Sequence, residues 1–245
     1  MTAKNSQLAV PQTATTMEAC MTLASGPEDE FWKAQERMGP IVAAQPGFRA
    51  VIGGPIANSR WMYFCGKFAT PADMDAWYDS RQHKPVMDRA HTTWFDAFYI
   101  RKWRAPEAGE ALAGPLFNET AIVASEAVPP ARATEIVDGL REAMTRHGAL
   151  PFETLADEYE QQPFQFVGPL EEFPVVAPVR YLLVSHWADA AALEKWLSSP
   201  EFASLSEIGD VTSETLVQVL HAEGEREGLK SDGSQRGWSR DAVAG

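Results

Sequence analysis

His83 and His91 are the side chains of this sequence best placed to move a proton, because an ordinary imidazole titrates near neutrality. They flank Pro85, between a helical pattern and an aromatic-rich, strand-like run. A base at such a point suits one chemistry in particular. It can take a proton from a phenol or an acidic C–H, leaving an anion electron-rich enough to reduce dioxygen by itself. The protein must then hold that anion and enclose it in a dry, aromatic cavity. Trp61, Tyr63, Trp77, Trp94, Phe98 and His186 are candidates for the walls, and Arg81 for pairing with a phenolate or quinone oxygen. Each residue has a plainer reading too. Either histidine could be an exposed loop group, Trp77 a core residue and Arg81 a solvated surface charge.

Other chemistries lack their residues. The sequence has no G-x-x-x-x-G-K-[ST] or G-x-G-x-x-G loop for phosphates, no H-E-x-x-H and no paired C-x-x-C, so no dedicated metal centre is expected. No G-x-S-x-G elbow occurs either. The formal net charge of −13 disfavours nucleic acid and anionic membrane as partners. No apolar run approaches the roughly 18 residues of a membrane span, and residues 1–15 do not read as a signal peptide. Cys20 and Cys65 lie in apolar runs and read as buried free thiols of a reducing cytoplasm.

The elements that must position these groups follow from the pattern. Residues 16–23, 48–56, 60–68 and 92–103 read as strands. Ser25-Gly-Pro27-Glu-Asp and Thr70-Pro71-Ala-Asp73 open helices with a cap, a proline and acids near the positive end of the dipole. The second helix should run towards Lys84 and falter at Pro85. That order is β-α-β-β-α-β, a ferredoxin-like unit. Residues 104–117 read as a linker, and the order then repeats.

The repeat is visible in one stretch. Phe68-Ala-Thr-Pro-Ala-Asp-Met-Asp-Ala-Trp77 has a counterpart in Trp187-Ala-Asp-Ala-Ala-Ala-Leu-Glu-Lys-Trp196, each position 119 further on. The same offset sets Phe202 opposite His83 and Asp210 opposite His91. The first helices are only 103 apart, Pro27 to Pro130, so the second half carries an insertion, assigned to 160–178. Its Phe164, Phe166 and Phe173 suggest a lid. The expected organisation is an arm over 1–15, a first domain over 16–103, a second over 118–222 with that insertion, and a disordered tail over 223–245. The expected fold class is α+β: two tandem ferredoxin-like domains whose antiparallel sheets press their apolar faces together.

Met38-Gly-Pro40, Pro46-Gly-Phe48, the stretch 68–77, Ser80, His83 and Trp94-Phe95 resemble the antibiotic biosynthesis monooxygenase family, whose fold is the dimeric α/β barrel. The first half resembles it over about its whole length; the second keeps the order and Trp196. The tandem form is similar to the oxygenases that open the B ring of angucyclines. The resemblance implies an oxygenase of a polycyclic polyketide phenol, hydroquinone or anthrone, with dioxygen as cosubstrate and no tightly bound metal. It also implies reduced flavin (FADH2 or FMNH2) as a diffusible reductant with a flavin reductase as its source, and a homodimer if the halves do not pair within one chain. Two other classes stay open: a haem-binding or haem-degrading barrel, and a polyketide-binding or cyclase scaffold with no redox step.

Overall fold

The structure, a computed structural model, describes residues 15–113, 115–150, 164–173 and 178–225. The first half comprises β1 (Thr15–Leu23), α1 (Glu28–Ala43), β2 (Phe48–Pro55), β3 (Met62–Phe68), α2 (Pro71–Tyr78), α3 (Lys84–Arg89) and β4 (Phe95–Arg104). The second comprises β5 (Leu116–Ala124), α4 (Pro130–His147), β6 (Ala149–Leu150), β7 (Gln165–Val167), β8 (Glu171–Phe173), β9 (Val179–Trp187), α5 (Ala190–Leu197), α6 (Pro200–Ala203) and β10 (Asp210–Glu225). Residues 152–159, which read as strand-like, lie outside the described residues, as do most of the expected arm and tail.

The strands run β4-β1-β3-β2 in the first half, the ferredoxin-like order, and β10-β5-β9 in the second. The two sets join through antiparallel pairing of β4 with β10. The segment 164–173 then reaches both remaining edges. β8 pairs with β2, β7 pairs with β9, and Ile56 bridges to Val167. The sheet therefore curls into a barrel within one chain, with α1, α2, α4 and α5 packed outside it. Gly54 explains part of that closure. A Cβ there would meet the Pro169 carbonyl oxygen at 3.2 Å and Val167 at 3.3 Å, so the close approach of 167–170 suits a glycine.

The repeated stretch folds the same way twice. Thr70 caps α2 by accepting from the Asp73 N–H, and Asp189 caps α5 by accepting from the Ala192 N–H. Met74 and Trp77 are buried against the first-half sheet, and Leu193 and Trp196 against the second. Two expectations shift. The helix opened by Thr70 ends at Tyr78, and Pro85 sits in the first turn of a separate helix, where its missing N–H costs nothing. Ahead of β4, residues Ala90–Trp94 form a π-helical turn, which carries His91.

Strand alternation sorts side chains into three cores. One lies between each half's sheet and its helices, and the third fills the barrel. The barrel interior corrects the expectation of two apolar faces. It holds Trp61, Tyr63, Trp103 and Phe117, but charged pairs between the halves as well. Lys67 donates to Glu119 at 2.6 Å, and His186 Nε2 lies 3.1 Å from Glu18 and also against Arg101. Burial alone would drive the Lys67 ammonium to lose its proton; the Glu119 carboxylate outweighs this and holds its pKa above the usual lysine range. Glu18 behaves likewise: burial opposes its charge, yet His186 and Arg101 keep its pKa below the usual carboxylate value. Cys20 and Cys65 are buried and not joined in a disulfide, and the Cys20 thiol donates to Gln165 Oε1 at 3.3 Å. Burial pushes the Cys65 thiol up to about 12, which makes it a poor nucleophile.

Candidate active site

Between the first-half sheet and its helices lies a cavity of about 730 Å³. β2 and β3 form its floor through Val51, Gly53, Met62, Phe64 and Phe68. α1 forms one wall, from Trp32 to Val42, and Trp77, Tyr78 and Val86 form another. The fourth side comes from the second half: Pro169, Glu171 and Phe173 of the closing segment. A volume of this size suits a drug-sized ligand. The floor is open partly because β3 carries Gly66, facing the helices; a Cβ there would make only ordinary contacts with Met17 and Phe68, at 3.7 and 3.8 Å.

Among the described residues His83 is the histidine that lines this cavity. Its ring stacks on Trp77 with centroids 4.4 Å apart and planes 18° from parallel, and it meets Tyr78 edge-on at 5.0 Å. Its backbone N–H donates to the Ser80 hydroxyl, which fixes the turn between α2 and α3. Nδ1 is enclosed and has no hydrogen-bond partner among the described residues. Burial disfavours the charged ring and His91 adds to this, so its pKa falls from 6.5 to about 3. The imidazole is therefore neutral at ordinary pH, and its surroundings oppose protonation unless an opposite charge lies beside it.

The remaining candidates divide by location. Trp77 lines the cavity. Tyr63 lines it from β3, but its side chain belongs to the barrel core. His91 stacks on Phe98 at 4.5 Å, and both, with Trp94, are buried in the first-half core and not on the cavity wall. Trp61 and His186 lie inside the barrel, His186 stacked on Trp103 at 5.3 Å. Arg81 is exposed and away from the cavity. Of the three phenylalanines expected to form a lid, Phe164 and Phe166 are buried in the second-half core, and only Phe173 reaches the cavity. Strand parity, fixed by register, sends alternate aromatics to opposite faces. Sequence reading missed Tyr78, Phe64, Phe68 and Trp32. The i,i+4 spacing of Met74 and Tyr78 was the available signal for Tyr78.

Among the described residues no lysine or arginine lines the cavity. Phosphates of a reduced flavin and propionates of a haem call for such cations. The described residues of this cavity offer neither group such a cation.

The profile of the antibiotic biosynthesis monooxygenase family matches residues 174–207. This stretch holds β9, α5 and α6 in the second half, whereas the residues that suggested the family lie mostly in the first. The two are linked by the repeat, since the matched stretch contains the Trp187–Trp196 counterpart of 68–77. No curated protein matches the chain. Solved structures similar to it include a candidate monooxygenase from Lactobacillus acidophilus, 13% identical, covering 87% of this chain and 97% of that one, with a TM-score of 0.35. An anthrone oxidase-like protein is 12% identical, with coverage of 89% and 97% and a TM-score of 0.32. An aldoxime dehydratase is 10% identical, with coverage of 89% and 83% and a TM-score of 0.49. At identities and scores this low, the likenesses imply nothing about activity.

Proposed function

We propose that this chain is an oxygenase of a planar, electron-rich polycyclic aromatic, a phenol, hydroquinone or anthrone, with dioxygen as cosubstrate and His83 as the base. The observation that carries this reading is the neutral, desolvated His83 ring stacked on Trp77 in the wall of an aromatic cavity. The monooxygenase match at 174–207 supports the class of enzyme.

The cavity can perform the chemistry as follows. Trp77, Tyr78, Phe64 and Phe68 bury a flat ring system and exclude water, which strengthens every polar interaction inside. His83 accepts a proton from the substrate's hydroxyl or activated CH2. Its low pKa belongs to a ring facing apolar groups; an anion formed beside it raises that value through opposite charge. The substrate anion then passes an electron to dioxygen, and recombination gives a peroxide. For an anthrone the peroxide loses water, so CH2 plus O2 becomes C=O plus H2O. His91, stacked on Phe98 behind the cavity, acts on the substrate only through His83. Polyketide substrates of antibiotic biosynthesis, including ring opening of the angucycline kind, are the narrower form of the proposal.

An oxygen electrode tests it with 1,8-dihydroxyanthrone and a set of polycyclic hydroquinones. The expected result is uptake that falls at least about a hundredfold in His83→Phe, the lower bound for removing a general base. No uptake across the set, with or without reduced flavin, or uptake undiminished in His83→Phe, overturns the reading.

A further inference from the structure

The cavity's charges are one-sided. Glu36 of α1 and Glu171 of β8 stand exposed at its mouth, and Glu172 also borders it. Glu172 turns towards the barrel, where its carboxylate lies 3.6 Å from Arg180. Glu171 has the opposite parity. It pairs with Gly53 and, like Phe173 opposite Val51, faces the helix side. Among the described lining residues Glu36 and Glu171 meet no lysine or arginine, and His83 is neutral. Lys33 and Arg37 belong to α1 but not to its cavity wall.

The same mouth carries exposed aromatics. Trp32 is 43% exposed and Phe173 is 38% exposed, and both border the cavity. Aromatic faces present negative quadrupole to a ligand, and with carboxylates beside them they make the surroundings that attract organic cations. An anion entering here would lose its hydration and gain no counter-charge.

We propose that this cavity selects its ligand by charge, taking a planar aromatic that bears an amine cation, or no charge, and rejecting one that bears a carboxylate, sulfonate or phosphate. The cationic group lies at the mouth, between Glu36 and Glu171 and against Trp32 or Phe173, while the ring system lies on Trp77 and His83. The inference rests on the reading of this cavity as the substrate site, and it narrows the substrate class of that reading.

Equilibrium binding in deoxygenated buffer tests it without turnover, using the full chain and the emission anisotropy of three matched probes. These are 9-(aminomethyl)anthracene, 9-methylanthracene and anthracene-9-carboxylate. The aminomethyl compound should bind at least about tenfold more tightly than the carboxylate, with a gap that narrows as salt rises. In the Glu36→Gln, Glu171→Gln double variant the gap should shrink to within about threefold, while 9-methylanthracene binds as before. A carboxylate that binds as tightly as the amine, a gap that survives both substitutions, or binding of none of the three overturns the proposal. Failure of the oxygenase reading has a different signature: the binding order stands and no oxygen is consumed.

Discussion

The two halves share a strand order and a helix start, yet equivalent positions carry different side chains. In the first, Trp77 stacks on His83 beside a cavity of about 730 Å³. In the second, Trp196 meets Phe202 at 5.6 Å, and Phe202 stands 119 positions after His83. The sheet differs in the same sense. At the same offset, Met62, Gly66 and Phe68 are matched by Tyr181, Ser185 and Trp187. The last three are buried, Trp187 stacks on Trp196 at 6.4 Å, and Phe166 stacks on Tyr181 at 5.3 Å. A repeated scaffold thus carries bulky, buried side chains at these positions in one half, and a glycine and a titratable ring beside a cavity in the other. The difference teaches that the fold tolerates either state, because each half buries the same helix tryptophan against its own sheet.

The comparison breaks most sharply if the second half's residue is moved into the first. His83→Phe should lower oxygen uptake by about 10²–10⁴-fold with the far-ultraviolet circular dichroism unchanged. Next come losses of stability, read from urea unfolding midpoints. Trp196→Ala removes a fully buried side chain from a packed core and should cost about 3–5 kcal/mol. Trp77→Ala should cost clearly less, because one face of Trp77 already borders open space. The seam between the halves offers a third test. Lys67→Met strands the buried Glu119 carboxylate and should cost about 3–5 kcal/mol at neutral pH.

A smaller effect depends on pH. His83 has its pKa lowered from 6.5 to about 3 on folding, so below about pH 6.5 the unfolded chain binds a proton that the folded chain refuses. Its contribution is full above that pH and declines progressively down to about pH 3. Wild type should therefore lose stability relative to His83→Phe as pH falls through this window, in paired urea titrations, and a constant difference would remove the desolvated imidazole from the account. The smallest effect is expected from Gly66→Ser, which copies Ser185 into the open floor. A Cβ fits there in ordinary contact, so stability should change by no more than about 0.5 kcal/mol while the apparent KM for the anthrone rises.

Much of the fold was legible because it rests on local rules. The cap at Thr70 and the tryptophans of the duplicated stretch are matters of neighbouring residues, and they specify a helix start and a two-fold repeat wherever they occur. His83 was legible as a candidate base by residue type and by its place after a helix, and Trp77 by its repeat. The fates of Trp61, Trp94, Phe98 and His186 were not legible, since a candidate's residue type does not say whether it faces helices, cavity or barrel.

The chain by itself determined two copies of one βαββαβ unit, the positions of their helix starts, two buried thiols, and two candidate histidines, His83 and His91, with no counterpart in the other copy. Tertiary structure alone decided that residues 164–173 would close the sheet onto itself, carry Glu171 and Phe173 across to the first half's cavity, and fill the barrel with paired charges such as Lys67–Glu119. Those outcomes depend on contacts between residues far apart in sequence, Lys67 and Glu119 being 52 positions apart, where local propensity has no influence and only the fit of buried volume and charge selects the partner.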